Sequence, residues 1–198
     1  MQESGKKFRI IFSEVIASMS LSLKIAYMAI VAALAVVISM FTRIPITPSV
    51  QISLKIFVSI LSGILLGGGS GFFVCMTSDF LGWLSNPGAQ AYSPWVGLSA
   101  GMLALFSGVL INNFKTGNKL FFYLKCVIIC LFSLFVCTIG INTTAFYFIY
   151  GIQSTYIEYV IARMFIGGQI WNSLANYALL FILLPILSEV KPLKRFFV

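Results

Sequence analysis

The stretch Ile64–Gly101, ILLGGGSGFFVCMTSDFLGWLSNPGAQAYSPWVGLSAG, differs from the long apolar runs that make up most of this chain. It contains four glycines between positions 67 and 71, two of the three tryptophans, and the acidic residue Asp79 embedded in apolar sequence. The turn from Ser85 to Pro94 carries no charge. A purely apolar run is explained by burial alone, so this mixture indicates close packing or binding in addition to burial.

The composition of the whole chain indicates a membrane protein. Of its 198 residues, 60% are hydrophobic and only 9% are charged, with a mean hydropathy of +1.01. A soluble domain of this length has too little interior for so many apolar side chains. In lipid, backbone groups must be paired within helices or a closed barrel, and the apolar runs here are continuous rather than alternating. We therefore predict an all-α membrane protein.

The apolar runs predict a bundle of six transmembrane helices. Polar or glycine-containing segments separate them, including a proline-containing connection over residues 42–49 and a polar loop over residues 112–119. The third helix is short for a full span of ~20 residues. The predicted helices are Ile25–Phe41, Ser53–Leu66, Phe72–Leu84, Val96–Ile111, Leu120–Ile139 and Tyr159–Leu187.

The basic residues orient this bundle. Six spans place the N-terminus, the glycine run, the 112–119 loop and the C-terminus on one side, where ten of the 13 Lys and Arg residues collect. The other side has only Arg43, Lys55 and Arg163. Basic residues favour the cytoplasmic side, so both termini are predicted to be cytoplasmic. The net charge of +8 is explained in this way, without a nucleic-acid partner.

The chain is predicted to have three parts. Residues 1–22 read as an amphipathic N-terminal segment on the membrane surface, since apolar residues recur at helical spacing after Lys6, Lys7 and Arg9. Residues 23–190 form the six-helix transmembrane substrate-binding domain, and residues 191–198 form a basic cytoplasmic tail. A cleaved signal peptide is disfavoured because the only A-x-A sequence nearby lies inside an apolar run.

Several chemistries are excluded or disfavoured by residue type. The chain has no His, which excludes a His-based zinc site and a His general base. The four cysteines lie in apolar runs without a CxxC pair and are predicted to be buried thiols. We find no nucleotide-binding or catalytic motif, so no cofactor, metal site or enzymatic activity is predicted.

The charged residues near the outer ends of the helices are candidates for ligand binding. Arg43, Lys55 and Arg163 outnumber the nearby acids, and Asp79 lies about 7 Å inside the outer end of its helix at ~1.5 Å per residue. Intramembrane charges usually face the bundle interior and pair or bind something. A net positive charge near the outer ends of the helices favours an anionic ligand. The alternatives are that the arginines reach lipid headgroups and that Asp79 pairs with Lys55.

Amide and aromatic side chains complete the predicted site. Gln169, Asn172, Ser173 and Asn176 share one face of the sixth helix, and such a stripe either joins helices or lines a cavity. We favour the cavity. Aromatic residues near the outer turn are candidates for stacking against a flat ring, although aromatic residues are also common at membrane interfaces. They are Trp83, Tyr92 and Trp95.

Small residues on the first helix offer a surface for another helix. Ala29 and Ala33 are one turn apart, and small residues at this spacing allow close helix approach in lipid. Packing within the bundle is the alternative to packing against a partner.

Several segments together resemble the substrate-binding S components of energy-coupling factor (ECF) vitamin transporters, particularly the folate family. They cover about half the chain, residues 25–112 and 160–187, and Arg163 at the head of the sixth helix also matches. The matching segments are Ala29–Leu34, Ile44–Ser49, Ile64–Gly67, Ser78–Gly82, Pro87–Pro94 and Leu98–Ala100.

The resemblance implies a function and partners. It implies a bacterial cell-membrane protein that binds a vitamin, with folate as the first candidate, and passes it to a transmembrane coupling subunit with two cytoplasmic ATPases. It also implies that Ala29 and Ala33 contact that coupling subunit. Two departures allow another vitamin: Met40 stands where related proteins have Arg, with Arg43 nearest, and Gly167–Asn172 is more polar than usual. A lipid enzyme and a structural assembly subunit are the alternatives outside this class.

Overall fold

A computed structural model describes residues 10–41, 44–47, 50–85, 92–114, 118–150 and 155–197. These residues are mainly helical, with one short β-hairpin and two segments of π-helix, which we label π1 and π2. The elements in chain order are α1 Glu14–Ala17, α2 Leu21–Phe41, β1 Ile44–Thr47, β2 Val50–Ile52, α3 Lys55–Leu66, α4 Gly68–Ser85, α5 Pro94–Asn113, α6 Lys119–Phe132, π1 Ser133–Thr143, α7 Thr144–Tyr150, α8 Tyr156–Ile161, π2 Ala162–Ile166, α9 Gln169–Glu189 and α10 Lys191–Phe197.

Four of the described helical stretches are long and apolar enough to cross a membrane. They are Leu21–Ile38, Pro94–Asn113, Lys119–Ile149 and Gln169–Glu189. The helical membrane character predicted from composition is therefore confirmed. α3 has only 12 residues, and α4 carries Asp79 and several glycines, so the predicted count of six spans rests on these two shorter or more polar helices.

The structure changes four of the predicted helices most. The first begins at Leu21 rather than Ile25. The third helix begins at Gly68 rather than Phe72, so most of the glycine run is helical. The fifth was predicted to end at Ile139, but helical structure continues through π1 and α7 to Tyr150. The sixth is interrupted, because Gly168 adopts a left-handed backbone (φ 70°) between π2 and α9. Glycine is the residue that adopts this conformation at little cost.

The connection before α3 is a two-stranded antiparallel hairpin, where the sequence predicted an irregular polar segment. Ile44 pairs with Ile52, and the register shifts between Pro45 and Thr47. Arg43 lies outside the described residues.

Helices α3, α4 and α5 pack very closely through small residues. A Cβ added to Gly63 would lie 2.0 Å from the carbonyl oxygen of Ala104, and one added to Gly108 would lie 2.4 Å from the carbonyl oxygen of Gly63. A Cβ on Gly71 would lie 2.8 Å from the Cα of Gly63. Close helix approach through small residues is the usual means of association where lipid removes the hydrophobic drive. The four cysteines are buried and unbridged, as predicted.

The two terminal segments pack at the same end of the bundle. α10 contacts α1, α3 and α5, and the side chains of Phe196 and Phe197 are buried. Ile16 of α1 is fully buried. Among the described residues of the N-terminal segment, the helix covers only four residues, shorter than the amphipathic helix predicted.

Candidate functional site

A cavity of about 300 Å³ lies between one wall built from α3 and α5 and another built from π1, α7, π2 and α9. It therefore lies between the glycine-packed helices and the irregular half of the bundle. Its lining comprises Ser53, Lys55, Ile56, Ser59, Val96, Ser99, Ala100, Leu103, Ser133, Cys137, Thr138, Asn142, Phe146, Arg163, Gln169 and Asn172.

Lys55 and Asp79 form an ion pair beside this cavity. The Lys55 ammonium donates to Oδ1 of Asp79, and the two side chains are 28% and 12% exposed. Lys55 borders the cavity, whereas Asp79 lies behind it, in a small recess shared with Cys75 and Ser78. Of the two roles considered for Asp79, this geometry favours pairing over direct contact with a ligand.

Tyr92, just before α5, hydrogen bonds to the same carboxylate. Burial raises the pKa of Tyr92 above its usual value, and the charge of Asp79 and the hydrogen bond to it raise it further. The hydroxyl therefore stays protonated and donates to Asp79. Gly97 makes room for this contact, since a Cβ there would lie 2.8 Å from the Tyr92 hydroxyl and 3.2 Å from Oδ2 of Asp79.

The predicted amide stripe on α9 has two functions. Gln169 and Asn172 border the cavity. Asn172 Oδ1 also accepts a 2.8 Å hydrogen bond from the backbone N–H of Ser53. Asn176 is fully buried and lies outside the cavity lining: it donates to the carbonyl of Ser53 (2.7 Å) and accepts from the N–H of Phe57 (3.1 Å). Asn176 thus holds the start of α3 against α9.

Arg163 brings a positive charge to the opposite wall. Its guanidinium lies 4.3 Å from the ring centroid of Phe146, and Nη1 donates to the Tyr159 hydroxyl at 3.4 Å. Its Nε is buried and has no hydrogen-bond partner among the described residues. A guanidinium over an aromatic face retains donors for a ligand oxygen.

The segment π1 supplies polar groups that the sequence reasoning missed. Thr138 Oγ1 donates to the carbonyl of Ser133 (3.0 Å) and Thr143 Oγ1 to that of Thr138 (2.7 Å), each five residues back. Ser133, Thr138 and Asn142 all border the cavity. The oxygen atoms Ser133 Oγ and Asn142 Oδ1 are buried without a hydrogen-bond partner in the described structure. Segments of π-helix are frequent at functional sites.

The aromatic residues predicted to stack on a ligand lie elsewhere. Trp83 and Tyr92 cluster with Phe80, at centroid distances of 6.4 Å for Phe80–Trp83 and 5.1 Å for Phe80–Tyr92. Trp95 is 46% exposed. None of these residues belongs to the described lining of the cavity; the aromatic residue that does is Phe146.

The lining is mostly uncharged, and half of its residues are neutral and polar. Eight of its residues carry a hydroxyl or an amide, and the charge of one of its two cations, Lys55, is offset by Asp79. No group of three potential metal ligands occurs within the described parts of the chain. The arrangement suits binding of a neutral or weakly anionic polar molecule.

A family model described as the S component of the ECF-type riboflavin transporter matches residues 20–189. This chain belongs to that family. The predicted S-component class is thereby confirmed, and the folate assignment within the class is not. An S component is a non-enzymatic, substrate-binding subunit that takes a vitamin as its substrate and works with the other components of an ECF transporter. Among individually curated proteins, none matches the chain.

Proposed function

We propose that this S component binds riboflavin in the 300 Å³ cavity and delivers it to a coupling subunit for ATP-driven uptake across a bacterial cell membrane. The observation that supports riboflavin is the neutral polar lining, together with the family to which the chain belongs. Riboflavin has a polar ring and a hydroxylated chain but no carboxylate. Hydroxyl and amide groups can pair with both parts without burying an unpaired charge.

The volume of the cavity also supports riboflavin over folate. Ligand sites range from about 300 to 1,000 Å³, so this cavity lies at the lower end. Riboflavin is smaller than folate, whose glutamate adds two carboxylates. The smaller, uncharged vitamin fits the described lining better.

Folate, the vitamin predicted from the sequence, is the second candidate because of Arg163. Its guanidinium borders the cavity, and its buried Nε has no partner in the described structure. Arginine binds carboxylates with paired, charge-assisted hydrogen bonds. The charge of the three cations expected from the sequence is reduced, however, because Lys55 is paired with Asp79.

Titration of the purified protein with each vitamin separates these candidates. We expect riboflavin to bind with one site per chain, measured by quenching of flavin fluorescence, and folate to bind at least about 100-fold more weakly by calorimetry, since burying carboxylates without enough cations is costly. Tight folate binding without riboflavin binding would favour the second candidate. Binding of neither vitamin would contradict the proposal.

Arg163→Gln tests whether the arginine contacts the ligand. A charge-assisted hydrogen bond contributes roughly 1.5–3 kcal/mol, so we expect affinity for the bound vitamin to fall about tenfold or more while the protein stays folded. Arg195→Gln is the matched control, because Arg195 is an exposed arginine on α10, at the other end of the bundle. Equal affinities in both variants would place the ligand away from Arg163.

We infer that the cavity faces the outside and that both termini are cytoplasmic. Lys55 and Asp79 lie far from Gly67 along α3 and α4, whereas the basic helix α10 packs at the Gly67 end. Labelling of whole cells with a membrane-impermeant maleimide tests this, since the native cysteines are buried. We expect Ile157→Cys to react and Lys119→Cys to react only after the membrane is permeabilised. The reverse pattern would invert the orientation.

A further inference from the structure

The segment Ile10–Ala17 precedes the region matched by the family, which begins at residue 20. It docks against the junction between α3 and α4, two helices that are joined by the single residue Gly67. A helix end leaves backbone groups without partners inside the helix, and two such ends meet at this buried junction. The segment Ile10–Ala17 supplies hydrogen-bond partners for several of these backbone groups.

Ser13 pairs with the last carbonyls of α3. Its backbone N–H donates to the carbonyl of Leu66 at 2.9 Å, and its hydroxyl donates to the carbonyl of Leu65 at 2.8 Å. Ser13 is 1% exposed and Leu66 is fully buried. Solvent therefore does not replace these hydrogen bonds readily.

The two residues at the start of the segment pair with the first N–H groups of α4. Gly69 N–H donates to the carbonyl of Ile10 at 2.8 Å, and Ser70 N–H donates to the carbonyl of Ile11 at 3.0 Å. The hydroxyl of Ser70 donates to the same Ile11 carbonyl at 3.0 Å. The segment thus connects the end of one helix to the beginning of the next.

Both the backbone conformation and the surroundings of position 67 favour glycine. Its φ of 105° favours glycine, and an added Cβ would lie 2.3 Å from the backbone nitrogen of Ser13 and 2.5 Å from the carbonyl carbon of Phe12. A side chain at this position would push the segment out of the junction. The tight turn and the docked segment therefore depend on each other.

The other end of the same hairpin carries the Lys55–Asp79 pair. Each of these residues is 12 positions from Gly67, which corresponds to about 18 Å of helix at ~1.5 Å per residue. With a one-residue connection, the alignment of α3 and α4 at the turn determines how Lys55 and Asp79 face each other. Lys55 also borders the cavity.

We propose that Ser13 is a positioning residue: it holds the segment Ile10–Ala17 against the end of α3, while the Ile10 and Ile11 carbonyls of that segment bind the start of α4. In this way it sets the alignment of the hairpin and so the placement of Lys55 at the cavity. This role goes beyond the proposed function, although the affinity measurement below uses the riboflavin binding proposed above. An N-terminal segment that only lies on the membrane surface, as the sequence suggested, would have no effect at the cavity.

The test is a double-mutant cycle in the full-length protein between Ser13→Pro and Asp79→Asn. Proline matches the φ of −63° at Ser13 but places its ring where the N–H meets the Leu66 carbonyl, so this change removes both hydrogen bonds to α3 and pushes the segment away from Leu66. It also removes the hydroxyl that accepts from the Ile16 N–H at the start of α1. Ser13→Ala, which removes only the hydroxyl, is the milder variant if Ser13→Pro does not fold. Ser18→Ala is the control, since Ser18 is exposed and its hydrogen bonds to described residues lie within its own turn.

Riboflavin affinity and thermal unfolding of the ligand-free protein are measured for each variant. Sites about 18 Å apart usually act additively, so coupling between them is informative. We expect the effect of Asp79→Asn on affinity to be at least about threefold smaller in the Ser13→Pro background than in the original protein. Ser18→Ala should leave both quantities unchanged.

Additive effects of Ser13→Pro and Asp79→Asn would overturn the inference and leave Ser13 as a stabilising residue only. If the unaltered protein binds no riboflavin, the proposed function fails on its own. The coupling between the two substitutions is then obtained from the unfolding temperatures of the ligand-free proteins. Non-additive shifts there support the positioning role, and additive shifts overturn it.

Discussion

Asp79 shows how a single intramembrane charge is accommodated in this protein. Its carboxylate is largely buried and accepts from the ammonium of Lys55 and the hydroxyl of Tyr92. A carboxylate at such depth is costly unless it is paired and hydrogen bonded. Lys55 also borders the cavity, whereas Asp79 does not belong to its described lining. Asp79 therefore helps to hold a cavity residue in place without contacting the ligand itself.

We predict that Asp79→Asn lowers the stability of the ligand-free protein. Neutralising the acid leaves the Lys55 ammonium, which is 28% exposed, without its counter-charge, and the loss of a hydrogen bond to a charged group costs roughly 1.5–3 kcal/mol. Thermal unfolding in detergent measures the effect. The double variant Lys55→Met, Asp79→Asn should recover part of the loss, since it also removes the Lys55 ammonium. Unchanged stability with reduced affinity would instead place Asp79 in direct contact with the ligand.

Part of the cavity lining could be predicted residue by residue. Lys55, Arg163, Gln169 and Asn172 were identified because charges and amides are conspicuous in apolar sequence, and all four border the cavity. Asn142 was missed because the fifth helix was predicted to stop at Ile139. In the sequence, the amides of Asn176 and Gln169 are equally conspicuous. The packing of α3 against α9 determines which of the two bonds to backbone.

At the scale of elements, the sequence predicts the regular helices well and the irregular ones poorly. Apolar runs locate α2 to α6 and α9 because lipid burial requires continuous apolar sequence. A π segment does not interrupt such a run, so π1 leaves no break in hydropathy. The sequence feature that could have indicated π1 is the spacing of its polar residues, which lie four and five positions apart. The break at Gly168 depends on a single backbone dihedral that glycine permits and does not require.

We predict that the helix break at Gly168 needs a left-handed residue. Gly168→Ala should destabilise the protein by about 1–2 kcal/mol, because a Cβ disfavours φ near 70°. Gly168→Asn should cost less, since asparagine tolerates this conformation better than alanine. Thermal unfolding of the three proteins gives the ranking. Equal stability of the alanine variant and the original would mean that π2 and α9 can join as a continuous helix.

At the scale of the whole molecule, one candidate span is largely exposed. The helix α2 is the least buried of the candidate spans, with only 6% of Leu21–Ile38 buried, compared with 50% of Pro94–Asn113. Ala29 and Ala33 are both exposed on it. Packing of these two residues inside the bundle, the alternative considered from the sequence, therefore finds no support among the described contacts. Their exposure supports the hypothesis of a docking surface.

We predict that Ala29→Trp with Ala33→Trp blocks transport without blocking binding. Two indole rings would fill the shallow surface between these positions, and helix association in lipid depends on close van der Waals contact there. Riboflavin binding by the isolated protein should be unchanged, because neither alanine borders the cavity. Uptake of labelled riboflavin by cells that also contain the other transporter components should fall to background.

Ile30→Trp with Leu34→Trp is the matched control for this experiment. These residues have the same spacing on the adjacent face of α2, and they are 58% and 55% exposed. They are already large, so tryptophan adds little bulk and should leave uptake near that of the original protein. Normal uptake by the alanine-position variant would assign docking to another surface. Equal loss in both variants would show that α2 tolerates no added bulk on either face, and the specific role of Ala29 and Ala33 would then be wrong.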